Sequence, residues 1–245
     1  MMNIKDGLTD YLEIMQYAGV SALPRSGSSG RTADRELEKK EVKSEELRVK
    51  SGEVPVSKSE QLQQLAAEVA QCKRCPVLVN YRTQTVFGTG NPDAELMFLG
   101  EAPGADEDKQ GVPFVGRAGQ LLTDIIEKGM KLRREDVYIC NILRCRPPNN
   151  AFKDLHDNEP EHCRPFLNRT LDIIKPKYIC CLGTVAAQNL LRSDIPISRM
   201  RGNVYDYNGI KVVCTFHPAY LLRNPSAKNE TWQDIKVLMK EMGLM

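Results

Sequence analysis

Eight cysteines divide into two sets by the company they keep. Cys72 and Cys75 form the turn Cys72-Lys73-Arg74-Cys75. Cys145 lies in Arg144-Cys145-Arg146-Pro147-Pro148, and Cys163 in His162-Cys163-Arg164-Pro165. These four stand beside charge or proline, where a core thiol has little use. A Cys-x-x-Cys turn puts two thiolates side by side. Two more from distant loops complete a four-sulfur cage that suits zinc or an iron–sulfur cluster. A redox dithiol and unconnected reduced thiols are the alternatives. Cys140, Cys180, Cys181 and Cys214 lie instead in apolar, β-branched runs, where cysteine is a small hydrophobe of the core.

Three further segments carry groups able to do chemistry. Gly100-Glu101-Ala102-Pro103-Gly104 opens a tight backbone path followed by Asp106, Glu107 and Asp108. It lacks the Gly-Lys-Ser/Thr of a Walker loop and the spacing of a dinucleotide fingerprint. A flat ligand is able to approach its main-chain amides, although an acidic surface loop has the same composition. Asn141 ends an apolar run just before Cys145. Its carboxamide offers an acceptor and two donors, enough to read a nucleobase edge or to satisfy a turn. His217 stands in Thr215-Phe216-His217-Pro218-Ala219-Tyr220-Leu221-Leu222-Arg223, its backbone restricted by the following proline. His156 and His162 lie in polar surroundings and read as surface residues. Leu221 and Leu222 are an apolar pair beside Arg223, one of them expected to pack in the core.

The elements that must position these groups alternate. Apolar strands over 95–99, 137–142, 178–182 and 210–216 are interleaved with helices over 117–128, 159–174, 184–192 and 228–242. Asn208-Gly209 signals a hairpin with 203–207. This order predicts a three-layer α/β/α sandwich around a central, mainly parallel four-stranded sheet. Ligands of such sheets bind beyond the carboxyl ends of the strands. Residues 57–245 form the expected domain, its first helix capped by Ser57 and Glu60 and striped by Leu62, Leu65 and Val69. Residues 1–20 read as an amphipathic helix, and the Ser-, Gly- and charge-rich residues 21–56 as a flexible linker. The net charge of +2 does not by itself specify a nucleic-acid partner. Arg144, Arg146, Arg164 and Arg169 nevertheless cluster around the cysteine loops, with Arg199, Arg201 and Arg223 further on, a set able to form a phosphate-binding face or a solvated surface. No run approaches the about 18 apolar residues of a membrane span. No secretory signal is recognisable, so a reducing cytoplasm is expected.

From about Ser57 onward, the chain resembles the family 4 uracil-DNA glycosylases, the iron–sulfur branch of their superfamily. The resemblance rests on Cys72-x-x-Cys75, Gly100-Glu101-Ala102-Pro103-Gly104, Pro113-Phe114-Val115-Gly116, Asn141 through Pro148, Cys163, and His217 through Arg223. It implies a [4Fe–4S] cluster on Cys72, Cys75, Cys145 and Cys163. It also implies that a uracil is flipped from DNA into a pocket. Phe114 would stack on the base and Asn141 would bind the edge that separates uracil from cytosine. His217 would donate to the uracil O2. Amides near Glu101, Ala102 and Gly104 would hold the ring and place water, and Glu107 would crowd C5. Leu221, Leu222 and Arg223 would fill the vacated stack, with Arg146 also on the DNA. Other branches carry Asp or Asn at the position of Ala102. A methyl group activates no water, so a carboxylate such as Glu101 is expected to order the water or to balance the sugar cation.

The implied activity is hydrolysis of the N-glycosidic bond of uracil in DNA, by a monomer, at the start of base-excision repair. One alternative is a relative that binds or cross-links uracil-DNA without turnover. Such relatives carry a basic, His-containing insertion near Lys109-Gln110-Gly111, which is absent here. Another is a cluster-bearing module that meets a replication or repair partner through its N-terminal helix.

Overall fold

The computed structural model of the protein describes residues 56–150 and 158–245. The expected N-terminal helix and nearly all of the expected linker lie outside these residues, as does His156. Helix α1 (Lys58–Ala70) begins with the predicted capping box: the Ser57 hydroxyl accepts from the Glu60 amide, and the Glu60 carboxylate accepts from the Ser57 amide. Leu62, Leu65 and Val69 are its buried stripe. Cys75 caps a short second helix, α2 (Pro76–Tyr81).

The sheet follows: β1 (Thr89–Gly90), β2 (Leu96–Gly100), β3 (Tyr138–Asn141), β4 (Tyr178–Leu182), β5 (Val204–Tyr207) and β6 (Ile210–Thr215). Its order is β1-β3-β2-β4-β6-β5. The inner four strands are mutually parallel, as expected. The expected count of four is corrected to six, because an antiparallel strand closes each edge. β5 is the first arm of the Asn208-Gly209 hairpin. β1 has two residues, too short for an alternation of apolar and polar side chains to reveal it.

Between the strands lie α3 (Ala105–Gln110), α4 (Arg117–Asp124), α5 (Glu159–Ile174), α6 (Thr184–Leu191), α7 (Ile197–Met200), α8 (Pro218–Arg223) and α9 (Lys228–Glu241). The helix expected over 117–128 is α-helical only to Asp124 and continues as a π-helical turn, Ile125–Gly129. The acidic stretch after Gly104 is a helix, not a loop. Its N-terminus tolerates Asp106, Glu107 and Asp108 because carboxylates favour the positive end of the helix dipole.

Alternate residues of the buried strands feed two cores. Met97, Leu99, Cys140, Ile179, Cys181, Val212 and Cys214 face α5 and α6. Phe98, Ile139, Cys180, Leu182 and Val213 face α4 and α9. The four cysteines assigned to the core are fully buried. A third cluster joins α1 and α2 to the Cys145 loop and the start of α5. No helix among the described residues is long and apolar enough to cross a membrane.

Candidate active site

The carboxyl ends of β2, β3 and β6 open on a cavity of about 310 Å³. Glu101, Ala102, Gly104, Glu107, Phe114, Asn141, His217 and Arg223 all line it, so segments far apart in the chain converge as the sheet rule requires. Leu221, Leu222 and Arg146 are not part of its lining. Ala118, Pro147, Asn150 and Tyr220 line it without having been singled out in the sequence.

Asn141 is the last residue of β3 and is paired in register with Gly100 of β2. It is 2% exposed, and its Oδ1 has no hydrogen-bond partner. An orphaned amide oxygen at the end of a strand is costly unless a ligand satisfies it. Gly100 makes room for it. A Cβ there would sit 2.3 Å from the Asn141 Oδ1 and 2.6 Å from the Phe114 ring.

Phe114 is 7% exposed and has φ = 55°, in the left-handed region that a bulky side chain rarely adopts. Its ring centroid is 5.6 Å from that of His217, with the planes tilted by 33°. A flat base entering the cavity therefore meets an aromatic wall.

Glu107 lines the cavity and is held there by backbone amides. Its Oε1 accepts from the Val115 and Gly116 amides, both at 3.0 Å, and its Oε2 accepts from the Gly104 amide at 3.1 Å. Both oxygens are committed to backbone, so the carboxylate ties the first glycine turn to the Phe114 loop while walling the cavity. The adjacent Asp108, 2% exposed, likewise accepts from the Thr83 amide at 2.9 Å.

His217 caps α8, its Nδ1 accepting from the Ala219 amide at 3.1 Å. Burial first, and the nearby Arg223 guanidinium second, lower its pKa from 6.5 to about 4. The ring is thus neutral near pH 7 with its proton on Nε2, the nitrogen left for the cavity. Glu101 makes no side-chain hydrogen bond or ion pair among the described residues, and burial raises its carboxyl pKa.

Helix α8 divides the leucine pair. Leu221 is 1% exposed whereas Leu222 is 37% exposed. Leu221 turns inward to the core, since neighbours on a helix lie about 100° apart. Leu221 is thus the one of the pair that packs in the core. Leu222 and Arg223 remain on the surface. Arg146 is half-buried. It donates from Nε to the Asn150 Oδ1 at 2.7 Å, and its guanidinium lies 5.3 Å from the centre of the Tyr81 ring.

Cys72, Cys75, Cys145 and Cys163 share the third hydrophobic cluster. Burial, then the Cys163 and Cys145 thiols, push Cys75 up to about 12. Burial pushes Cys145 up to about 11 against the pull of Arg82. Arg82 donates to the Cys145 Sγ and to the Cys72 carbonyl, both at 2.8 Å. Arg144, 1% exposed, donates to the Asn141 carbonyl at 3.0 Å and to the Thr170 hydroxyl at 3.2 Å. His162 is no plain surface residue, since its Nδ1 lies 3.7 Å from the Cys75 Sγ. Among the described residues, no group of three or more His, Cys, Asp or Glu side chains is placed to hold a metal ion. These four cysteines lie in one apolar cluster beside Arg82 and Arg144, and thiolate is the donor type that an iron–sulfur cluster takes.

Nothing in the sequence marks Arg82 or Arg134, which lie in polar stretches without motif or periodicity. Asn149-Asn150 after two prolines was legible as a turn, but not as part of the cavity.

The model of the uracil DNA glycosylase superfamily matches residues 87–236. A type-4 uracil-DNA glycosylase of Archaeoglobus fulgidus is 44% identical over 192 residues, covering 75% of this chain and 94% of that protein. One from Thermotoga maritima is 46% identical over 170 residues, covering 68% and 86%. A type-5 uracil-DNA glycosylase of Pyrobaculum aerophilum is more distant, at 26% over 184 residues. With the cavity, its strand-end residues and these likenesses in agreement, the chain belongs to the uracil DNA glycosylase superfamily.

Proposed function

We propose that this protein removes uracil from DNA by hydrolysing the N-glycosidic bond of a flipped-out nucleotide. The observation that carries the reading is the unpaired, buried Oδ1 of Asn141, a residue that lines a cavity together with Phe114 and His217. Uracil presents an N3–H donor beside the O4 acceptor. Oδ1 accepts a hydrogen bond from N3–H and the amide nitrogen donates to O4. Cytosine presents the opposite pattern, an acceptor at N3 and a donor at C4.

The leaving group is a uracil anion, and the sugar passes through an oxocarbenium-like state. A neutral Nε2–H from His217 directed at O2 stabilises the developing charge without having to lose a charge of its own. Phe114 holds the ring by stacking, and the Gly100–Gly104 turn brings its backbone close to the base. Glu101 orders the attacking water and balances the sugar cation. Leu222 and Arg223 occupy the gap in the DNA, while Arg146 lies near the strand beside it.

The reading includes a [4Fe–4S] cluster on Cys72, Cys75, Cys145 and Cys163. When bound, it supplies a structural staple between the start of the domain and the loop after β3. Arg82 and Arg144 offset thiolate charge there, and Arg144 passes the constraint on to the Asn141 carbonyl. Residues 57–245 form the catalytic domain, with residues 1–56 outside the reaction.

Release of free uracil from a uracil-containing oligonucleotide tests the function. The wild type should release the base and leave an abasic site, whereas Asn141→Ala should lose most excision. Binding or cross-linking without free uracil would sink the reading. Unchanged excision by Asn141→Ala would remove that residue from base recognition.

A further inference from the structure

Phe114 presents a problem that the stacking role alone does not solve. A left-handed backbone at a non-glycine residue is strained and persists only where the surroundings over-determine it. Here the backbone is held from both sides. The two amides that follow, those of Val115 and Gly116, donate to Glu107. The carbonyls of Pro113 and Phe114 accept from one nitrogen of Arg134, at 3.0 and 3.1 Å. The other terminal nitrogen of Arg134 donates to the Thr123 hydroxyl of α4 at 3.0 Å. Gly119, in the first turns of α4, completes the seat. A Cβ there would lie 1.8 Å from the Phe114 carbonyl oxygen.

Arg134 lies on the short turn Arg134–Asp136, between α4 and β3, outside every motif of the cavity and absent from its lining. It makes no ion pair among the described residues. Its hydrogen bonds go to two carbonyls and one hydroxyl, and burial lowers its pKa. A half-buried cation spent on neutral acceptors is a poor stability device. A planar guanidinium that fixes two successive carbonyls and a neighbouring helix is a good ruler.

We propose that Arg134 is a positioning residue for uracil excision. Its guanidinium holds the Phe114 backbone in the left-handed conformation that sets the ring as the stacking wall. The proposal rests on the excision reading above and adds to it a residue that acts through Phe114 without touching the base.

The test is a double-mutant cycle read by single-turnover release of uracil from DNA, with thermal melting alongside. Arg134→Ala should slow excision about 10- to 100-fold, the scale of a misplaced reacting group. In a Phe114→Ala background the same change should produce no further slowing, because the ring it positions is gone. Arg134→Lys should recover only part of the rate, since one ammonium cannot reproduce the planar fork. If Arg134→Ala does not fold, Thr123→Val replaces it in the cycle. Thr123→Val removes one anchor and should give a smaller loss with the same dependence on Phe114. A wild-type rate in the single variants, or an equal loss with and without the Phe114 ring, overturns the role. Wild-type protein that releases no uracil at all removes the excision reading and this proposal with it.

Discussion

Replacing His217 separates two jobs done by one ring. Its Nδ1 caps α8 by accepting from the Ala219 amide, and in the proposed mechanism its Nε2–H donates to the uracil anion. His217→Ala removes both. Loss of a single preorganised donor costs about 10²–10³ in rate, or about 2.7–4 kcal/mol of transition-state stabilisation. Loss of the cap costs about 1 kcal/mol of fold stability. His217→Asn separates them, because asparagine is a strong helix cap but its short side chain cannot reach where Nε2 stood. The Asn variant should therefore melt close to the wild type while excising as slowly as the Ala variant. The assay is single-turnover uracil release with enzyme in excess over DNA, paired with DNA affinity, which should change little.

The pH dependence gives a second reading of the same ring. Its pKa is lowered from 6.5 to about 4, so it is already neutral at pH 6–8 and contributes no step in rate across that range. The unfolded chain takes up this proton first as the pH falls. Stability from the neutral ring is therefore fully present above about pH 6.5 and lost progressively toward pH 4. Wild-type single-turnover rates in His217→Ala, or slow excision fully restored by Asn, would refute the donor argument.

Four other outcomes are expected. Leu221→Ala should destabilise the domain by about 2–5 kcal/mol, as buried leucine truncations do, while Leu222→Ala should leave melting unchanged and weaken binding to uracil-DNA. Gly100→Ala should abolish excision in a folded protein, because its Cβ intrudes on both Asn141 and Phe114; circular dichroism with the uracil assay checks this. Anaerobically purified protein should be brown with about four irons per chain, and iron removal should lower its melting temperature; a colourless protein with stoichiometric zinc would contradict the cluster. A chain beginning near Arg48 should excise uracil from short DNA about as fast as the full chain, and a large loss of turnover in a folded truncation would place the N-terminal residues in the reaction.

Much of the architecture was legible because it rests on local rules. Alternating strand and helix patterns, the Ser57–Glu60 cap and the Asn208-Gly209 turn are short-range signals, and each appears where the residues predict it. The chemistry of the loops was legible for a similar reason: cysteines beside Arg and Pro stand out from cysteines among Val and Ile. What local rules do not carry is direction and partnership. Whether Leu221 or Leu222 faces outward depended on where α8 lies on the domain. Glu107 had the composition of a surface acid, and only the approach of the Phe114 loop gave its two oxygens backbone partners. His217 was readable as a donor, but its tautomer and its lowered pKa follow from burial and from the cap it forms on α8. Arg134 reaches the Phe114 carbonyls from 20 residues away. A long side chain in a polar stretch carries no sequence mark of what it will hold, because its hydrogen-bond acceptors are backbone atoms common to every residue, brought within reach only by the fold.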